Sequence, residues 1–224
     1  MRGPVMADGI KSLKDKNDGL VVMARDAAVI ATPYGLGTIP TKLTGPGGNL
    51  ISLPSNWDTF GELDQKTGIK ITPDVKTADV EGYGSMGPRR TVKTGESVTL
   101  NFAAQESKNL VLSAFWDLDL SDTVADSNGE WQAKKSYASD MKLWSLILLG
   151  ADQNEYGDVY PYWIFPKVMV TKTDAVSLGT DAALVYPFTF QAFEDENFGG
   201  FMAIGAAGPG QAGVNAKAGF AAGS

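Results

Sequence analysis

From Ser97 to Trp116 the chain reads SVTLNFAAQESKNLVLSAFW, and its apolar period changes partway along. Val98, Leu100, Phe102 and Ala104 alternate with polar or small neighbours, the two-residue period of a half-buried strand. Leu110, Val111, Ala114, Phe115 and Leu118 instead share one face of a helix, predicted over 107–118. A long strand is thus predicted to run almost directly into a short helix. The rest of the chain is strand-like. Residues 58–63 and 69–71 read as a hairpin closed by the turn 64–68, followed by strands at 75–84, 91–104, 131–137, 141–149, 160–171 and 183–193. Leu184, Tyr186, Phe188, Phe190 and Ala192 of the last run lie on one face. Many short strands and a single helix predict a mainly β fold: two packed antiparallel sheets, a sandwich or barrel, flanked by one α-helix.

At 224 residues one domain suffices. Residues 1–19 are polar, charged and aperiodic, which predicts an N-terminal arm. Met6 offers an alternative start, and this region has no apolar segment of signal-peptide type. The β domain spans 20–196, with 20–30 opening it as a strand or short helix. It includes a long loop at 32–57, TPYGLGTIPTKLTGPGGNLISLPSNW, and loops of that length are usually functional. From 197 to 224 the chain holds eight Gly and eight Ala with Lys217 as the sole charge, the composition of a flexible tail. The longest apolar run, Leu143 to Leu149, is far short of the ~20 residues needed to span a bilayer.

Chemistry is harder to find than structure. The chain has no Cys and no His, which removes disulfides, thiolate nucleophiles, the Ser-His and Cys-His arrangements and the commonest transition-metal ligand. Nineteen basic against 26 acidic residues give a net charge of −7, which disfavours gripping a phosphate backbone. EGYGSMG around Ser85 resembles a nucleophile elbow, but Tyr83 stands where a Gly is required, and a turn is the better reading. Asp126, Asn128 and Gly129 resemble the middle of a calcium loop, with Val124 and Lys135 at positions that need ligands; an Asn-Gly turn fits better. Gly45 to Gly48 lacks the Lys-Ser/Thr of a phosphate loop. The pairs Asp117 with Asp119 and Glu194 with Asp195 could serve as glycosidase carboxylates, although chance pairs are expected in so acidic a chain. Tyr156, Tyr160, Tyr162, Trp163 and Phe165 could stack sugars or bases, yet alternation on a strand sends part of the set into the core. Arg89 and Arg90 suit a solvated loop or an inter-subunit ion pair. No catalytic, cofactor-binding or metal-ligating residue is assigned, and no cofactor.

The run from Phe60 to Trp116 resembles the major tail (tail tube) proteins of long-tailed, non-contractile bacteriophages, especially those of actinobacteria. The resemblance rests on order and spacing: a G-x-L turn at Gly61–Leu63, an aromatic-Gly motif within Glu81–Ser85, an Arg90–Thr91 step into a Thr-rich strand, and an E-x-x-N-L helix start at Glu106–Leu110. It covers 57–118 well and the later strands in outline.

That resemblance implies a structural, non-enzymatic virion protein whose hexameric rings stack into a hollow tube that conducts DNA into the host, each subunit's sheet joining its neighbours' around the lumen. Implied partners are other copies of the chain, a tape-measure protein, terminator and baseplate or tip proteins, and DNA that passes without specific binding; no membrane is involved. The implied location is the virion tail, assembled in the host cytoplasm. Sheet edges are templates for pairing, and a ring satisfies them by symmetry. A negative lumen lets DNA slide, and Glu62, Asp64, Asp74, Asp79 and Glu81 are candidates for its lining. Thr41, Leu43, Leu50, Ile51 and Leu53 of the long loop are candidates for the bridge between rings, with the N-terminal arm second. The inner tube of a contractile tail or related secretion system, a capsid-decoration or carbohydrate-binding β-sandwich, and a carboxylate glycosidase remain alternatives.

Overall fold

The computed structural model describes residues 9–52, 54–137 and 141–221. Among these described residues are eight strands: β1 Asp26–Pro33, β2 Asp58–Thr59, β3 Lys70–Val80, β4 Arg90–Ala104, β5 Leu143–Asn154, β6 Gly157–Thr173, β7 Tyr186–Ala192 and β8 Ala203–Ala207. Three α-helices accompany them, α1 Gly9–Lys14, α2 Asn109–Trp116 and α3 Pro209–Val214. The mainly β class is as expected. The two expected sheets, however, are halves of one antiparallel hydrogen-bonded sheet in the order β2-β1-β5-β6-β7-β4-β3, with β8 also paired to β6. The long β6 makes this continuity: β5 lies along one edge, while β8 and β7 share the other at Tyr160–Ile164 and Val168–Thr173. Register shifts between Trp144 and Leu146 and between Val170 and Lys172 mark bulges, the device by which one sheet bends over onto itself.

The sheet closes on its own core. Phe60 directly follows β2 at one end of the strand order, and its ring stands edge-on to Phe102, Phe188 and Phe190 of β4 and β7 near the other end, with centroids 5.0, 5.3 and 6.1 Å away. The segment after it runs across to β4, where the Asp64 and Gln105 N–H groups donate to the carbonyls of Ala103 and Glu62. Residues 58–63 and 69–71 therefore do not pair with each other as the sequence suggested: β2 belongs to β1 and β3 to β4. Two of the recognised motifs meet here. Gly61 has φ +76, and a Cβ on it would collide with the Glu106 carboxylate. That carboxylate accepts the Glu62 N–H at 2.7 Å and pairs with Lys108 at 3.1 Å. The turn and the helix start are spaced in sequence because they form one clasp in space.

The backbone N–H of Glu62 and then the Lys108 ammonium hold the Glu106 carboxyl below its ordinary value of 4.5. Asp195, held low chiefly by the Tyr34 hydroxyl, behaves likewise. A carboxyl whose folded pKa is depressed contributes stability above its unfolded value and loses it as pH falls through the folded one. Thermal unfolding should therefore be flat from pH 7 to about 5 and fall steeply below about pH 4. The fall should be shallower in Glu106→Gln, and equal slopes for the two proteins, by calorimetry, would refute a stabilising clasp.

The α2 helix is shorter than 107–118 and is buried as its period demands, through Leu110, Val111, Ala114 and Phe115, with Leu118 half-buried against the same core and Leu112 and Ser113 buried as well. It ends at Asp117 in the left-handed conformation (φ 53), where the Leu118 N–H returns to the Ser113 carbonyl at 3.0 Å. Phe115 meets Tyr186 and Phe188 of β7. The expected strand at 131–137 is absent, and its described residues are irregular and largely exposed.

The tail also departs from its composition. Ala203–Ala207 pairs with Tyr160–Ile164, and α3 packs on β6 with Val214 and Gly210 buried. Small residues allow this because a Cβ at Gly205, Gly210 or Gly213 would strike the Tyr162 ring, the Gly157 carbonyl or the Tyr156 ring. Asn154 ties the region together by donating to the carbonyls of Gly19 (3.2 Å) and Gly210 (3.1 Å).

Candidate assembly surfaces

The strands β3 and β4 reach beyond the core. Their inner ends are anchored by Val98, Leu100 and Phe102 in the core and by pairing of Thr99–Ala104 with β7. From Asp74 and Ser97 outward the pair is a two-stranded ribbon closed by the turn at 81–89. Nearly every residue of that ribbon is exposed, on both faces, with Val75, Val80 and Val92 among them. Among the described residues β3 pairs only with β4, so its outer edge presents backbone groups without a strand partner there. At the tip Tyr83 and Met86 are fully exposed beside Arg89 and Arg90, neither of which forms an ion pair among the described residues. A two-stranded ribbon with no covered face is marginal alone in water, and a free edge beside exposed valines is an invitation to another strand. The sequence carries the signal: in 75–80 and 90–96 neither set of alternate positions is uniformly apolar, so neither face is marked for burial in the subunit's own core.

The long loop folds back in part. Leu43 and Trp57 are buried against Ile30, Ile147 and Ile164 in a second, smaller core on the other face of the sheet, with Ile39 packed alongside. The Trp57 Nε1–H donates to the Thr38 carbonyl at 3.0 Å. Residues 43–51 make a small hairpin: Thr44 bridges Leu50, the Ile51 N–H donates to the Leu43 carbonyl, and Pro46–Gly48 form the turn. Thr41, Leu50 and Ile51 stay exposed, and Leu53 lies outside the described residues. Of the candidates for a bridge between rings, Leu43 is thus a core residue, while Thr41, Leu50 and Ile51 are on the surface.

The candidate lumen acids do not form one cluster. Asp74 and Asp79 stand an odd number of residues apart on β3 and so point to opposite faces of the ribbon, where Asp79 accepts the Thr91 hydroxyl at 2.7 Å. Glu81 is exposed at the start of the tip turn, and Glu62 is exposed beside Gln105 and Glu106, at the end of β4 away from the arm. Asp64 holds its own turn, accepting the Thr67 N–H and hydroxyl and the Gln105 amide, contacts that keep its carboxyl below the ordinary range.

The chemical candidates resolve into structure. Asp195 anchors a loop by accepting the Tyr34 hydroxyl at 2.8 Å and the N–H groups of Asn197 and Phe198. Asp119 accepts from Ser121 and Asp126 from Asn128 and Glu130, each within its own turn. Ser85 sits in the exposed tip turn, its N–H on the Gly82 carbonyl. The aromatic set splits by face, with Trp163 and Phe165 in the main core and Tyr162 in the second. Among the described residues no group of three or more metal-ligating side chains is placed to hold an ion, and no described helix is long and apolar enough to cross a membrane.

A family model described as phage tail tube protein matches residues 15–203. Among curated proteins no sequence matches the chain significantly. Among solved structures, the chain is similar to one from the tail of an empty GTA particle, solved by helical refinement with C6 symmetry (13% identity, 63% of this chain and 84% of that one, TM-score 0.35). It is also similar to one from the virion of a native gene transfer agent particle (14% identity, 68% and 92%, TM-score 0.37). A third is from the six-fold symmetrised baseplate of the anti-feeding prophage (13% identity, 82% and 95%, TM-score 0.40). At these TM-scores the three similarities carry no weight, and the family model stands on its own.

Proposed function

The chain belongs to the phage tail tube protein family, and from that premise we propose that it assembles as hexameric rings stacked into the hollow tube of a long, non-contractile tail. The reading is supported above all by the β3–β4 arm, a ribbon with two bare faces and a free edge that a neighbouring copy would cover. Adding the arm to an adjacent subunit's sheet continues the sheet from subunit to subunit, and six-fold closure covers the free edge of every arm.

Of the acids expected at the lumen, Asp74, Asp79 and Glu81 ride on the arm, which is the element through which they would reach it, while Glu62 and Asp64 lie at the opposite, core end of β4. With a net charge of −7 the assembled wall repels DNA and lets it pass. Thr41, Leu50 and Ile51 form the contact to the next ring. Assembly takes place in the host cytoplasm around a tape-measure protein and ends on terminator and baseplate or tip proteins. Within this reading the subunit does mechanical work and catalyses nothing.

Electron microscopy of the purified chain tests the proposal. Rings or hollow tubes with six-fold end views are expected. A strictly monomeric species at high protein concentration would overturn it, and a monomer that binds glycans would favour the carbohydrate-binding alternative.

A further inference from the structure

The arm tip and one groove of the same subunit are complementary. The groove, of about 610 Å³, runs between the end of β1, the α2 helix and the start of β5. Its apolar lining comes from Pro33, Tyr34, Leu110, Met141, Leu143 and Trp144. Asp58 and Asp119 stand at it with one opposing cation, Lys142, whose ammonium is engaged by the Leu118 carbonyl at 2.8 Å. Hydrogen bonds from Ser121 hold the Asp119 carboxyl below its ordinary value, so it is charged at neutral pH. The arm tip offers the counterpart: Tyr83 and Met86, fully exposed, followed by Arg89 and Arg90 with no acidic partner in an ion pair among the described residues.

We infer that the occupant of this groove is the arm tip of a second copy of the chain, Tyr83 and Met86 filling its apolar floor while Arg89 and Arg90 face Asp58 and Asp119. An aromatic and a methionine seated in an apolar pocket with arginines at a carboxylate rim is the composition of an interface anchor. The tip and the groove are different surfaces of one molecule, so the contact is head-to-tail and propagates from copy to copy into a ring or a filament. The inference rests on the tube reading only for its geometry, since tip-to-groove contact needs association and not a finished tube. The polar groove between residues 15–19 and the β5–β6 turn, which includes Asp15, Asp18 and Glu155, is the competing receptor for the two arginines.

The absence of cysteine makes the contact directly readable, because every disulfide is then an engineered one. Single variants Met86→Cys, Met141→Cys and Glu155→Cys are mixed in pairs and oxidised, and covalent dimers are counted on non-reducing gels. Met86→Cys with Met141→Cys should give dimers several-fold above either variant alone. That yield should collapse when Arg89→Glu and Arg90→Glu are added to the Met86→Cys chain. Dimers with Glu155→Cys in place of Met141→Cys, or no dimer in any mixture, would overturn the inference. Tubes of the unmodified chain, scored separately by electron microscopy, distinguish the two claims. Tubes without the cross-link would sink the tip contact alone, and the cross-link without tubes would sink the tube reading alone.

Discussion

Phe60→Ala is expected to cost about 3–5 kcal/mol, the range for emptying an aromatic site in a packed core. Against a total stability of about 5–15 kcal/mol this brings the subunit close to unfolding. The side chain is fully buried and meets three rings at once. Its position matters beyond its size. It follows a two-residue strand at one end of the sheet order and touches β4 and β7 near the other end, so it pins the closure of the sheet. Urea denaturation at neutral pH measures the loss directly, and the melting temperature should fall by roughly 6–20 °C for a chain of this size. A loss below about 1.5 kcal/mol, the range of a conservative core swap, would mean that the sheet closes without it.

Removal of the arm should abolish polymerisation while sparing the fold. Val75 and Glu96 are register partners, so residues 76–95 can be replaced by Asn-Gly, the two-residue turn that suits a tight hairpin. The residues removed are exposed, apart from a half-buried Gly82 and Gly95, and contribute little to the monomer. The shortened chain should melt within a few degrees of the parent, sediment as a monomer and form no tubes at any concentration at which the parent does. Tubes from the shortened chain would refute the arm as the assembling element. A chain that no longer folds would show that the ribbon stabilises its own subunit, again against the proposal.

These two experiments probe different kinds of legibility. The residues that make Phe60's neighbourhood were readable: Val98, Leu100, Phe102 and Ala104 alternate, as do Tyr186, Phe188, Phe190 and Ala192, and all are buried. The α2 face was readable for the same reason. The arm was only half readable. Its strands could be placed, but a strand's alternation does not say whether the covering face belongs to the same molecule. Residues 131–137 look like a strand and are not one, because local pattern was not matched by a partner edge.

The tail shows the opposite failure. Low side-chain volume suggested a tail flexible in isolation, whereas in the fold it lets β8 and α3 lie directly on the Tyr162 and Tyr156 rings. The long loop was legible as an unusual feature but not as a divided one, with Leu43 and Trp57 committed to a core and Leu50 and Ile51 left outside. Tyr83 and Met86 belong to the segment Glu81–Gly87, yet nothing in the order of residues said that they would stand bare at the end of a ribbon.

By itself the sequence determined the mainly β class, the strand-to-helix passage, the inward faces of β4, β7 and α2, and a chain without His or Cys chemistry. Each of these is set by residue type or by a short-range period, which the backbone geometry of strand and helix imposes locally. Only the tertiary structure decided that the strands form one bent sheet, that Gly61 and Glu106 clasp its closure, that the tail adds an edge strand, and that the arm is left uncovered. Those outcomes depend on which distant edges and faces meet, and a period records that one side of a segment is buried without recording what buries it.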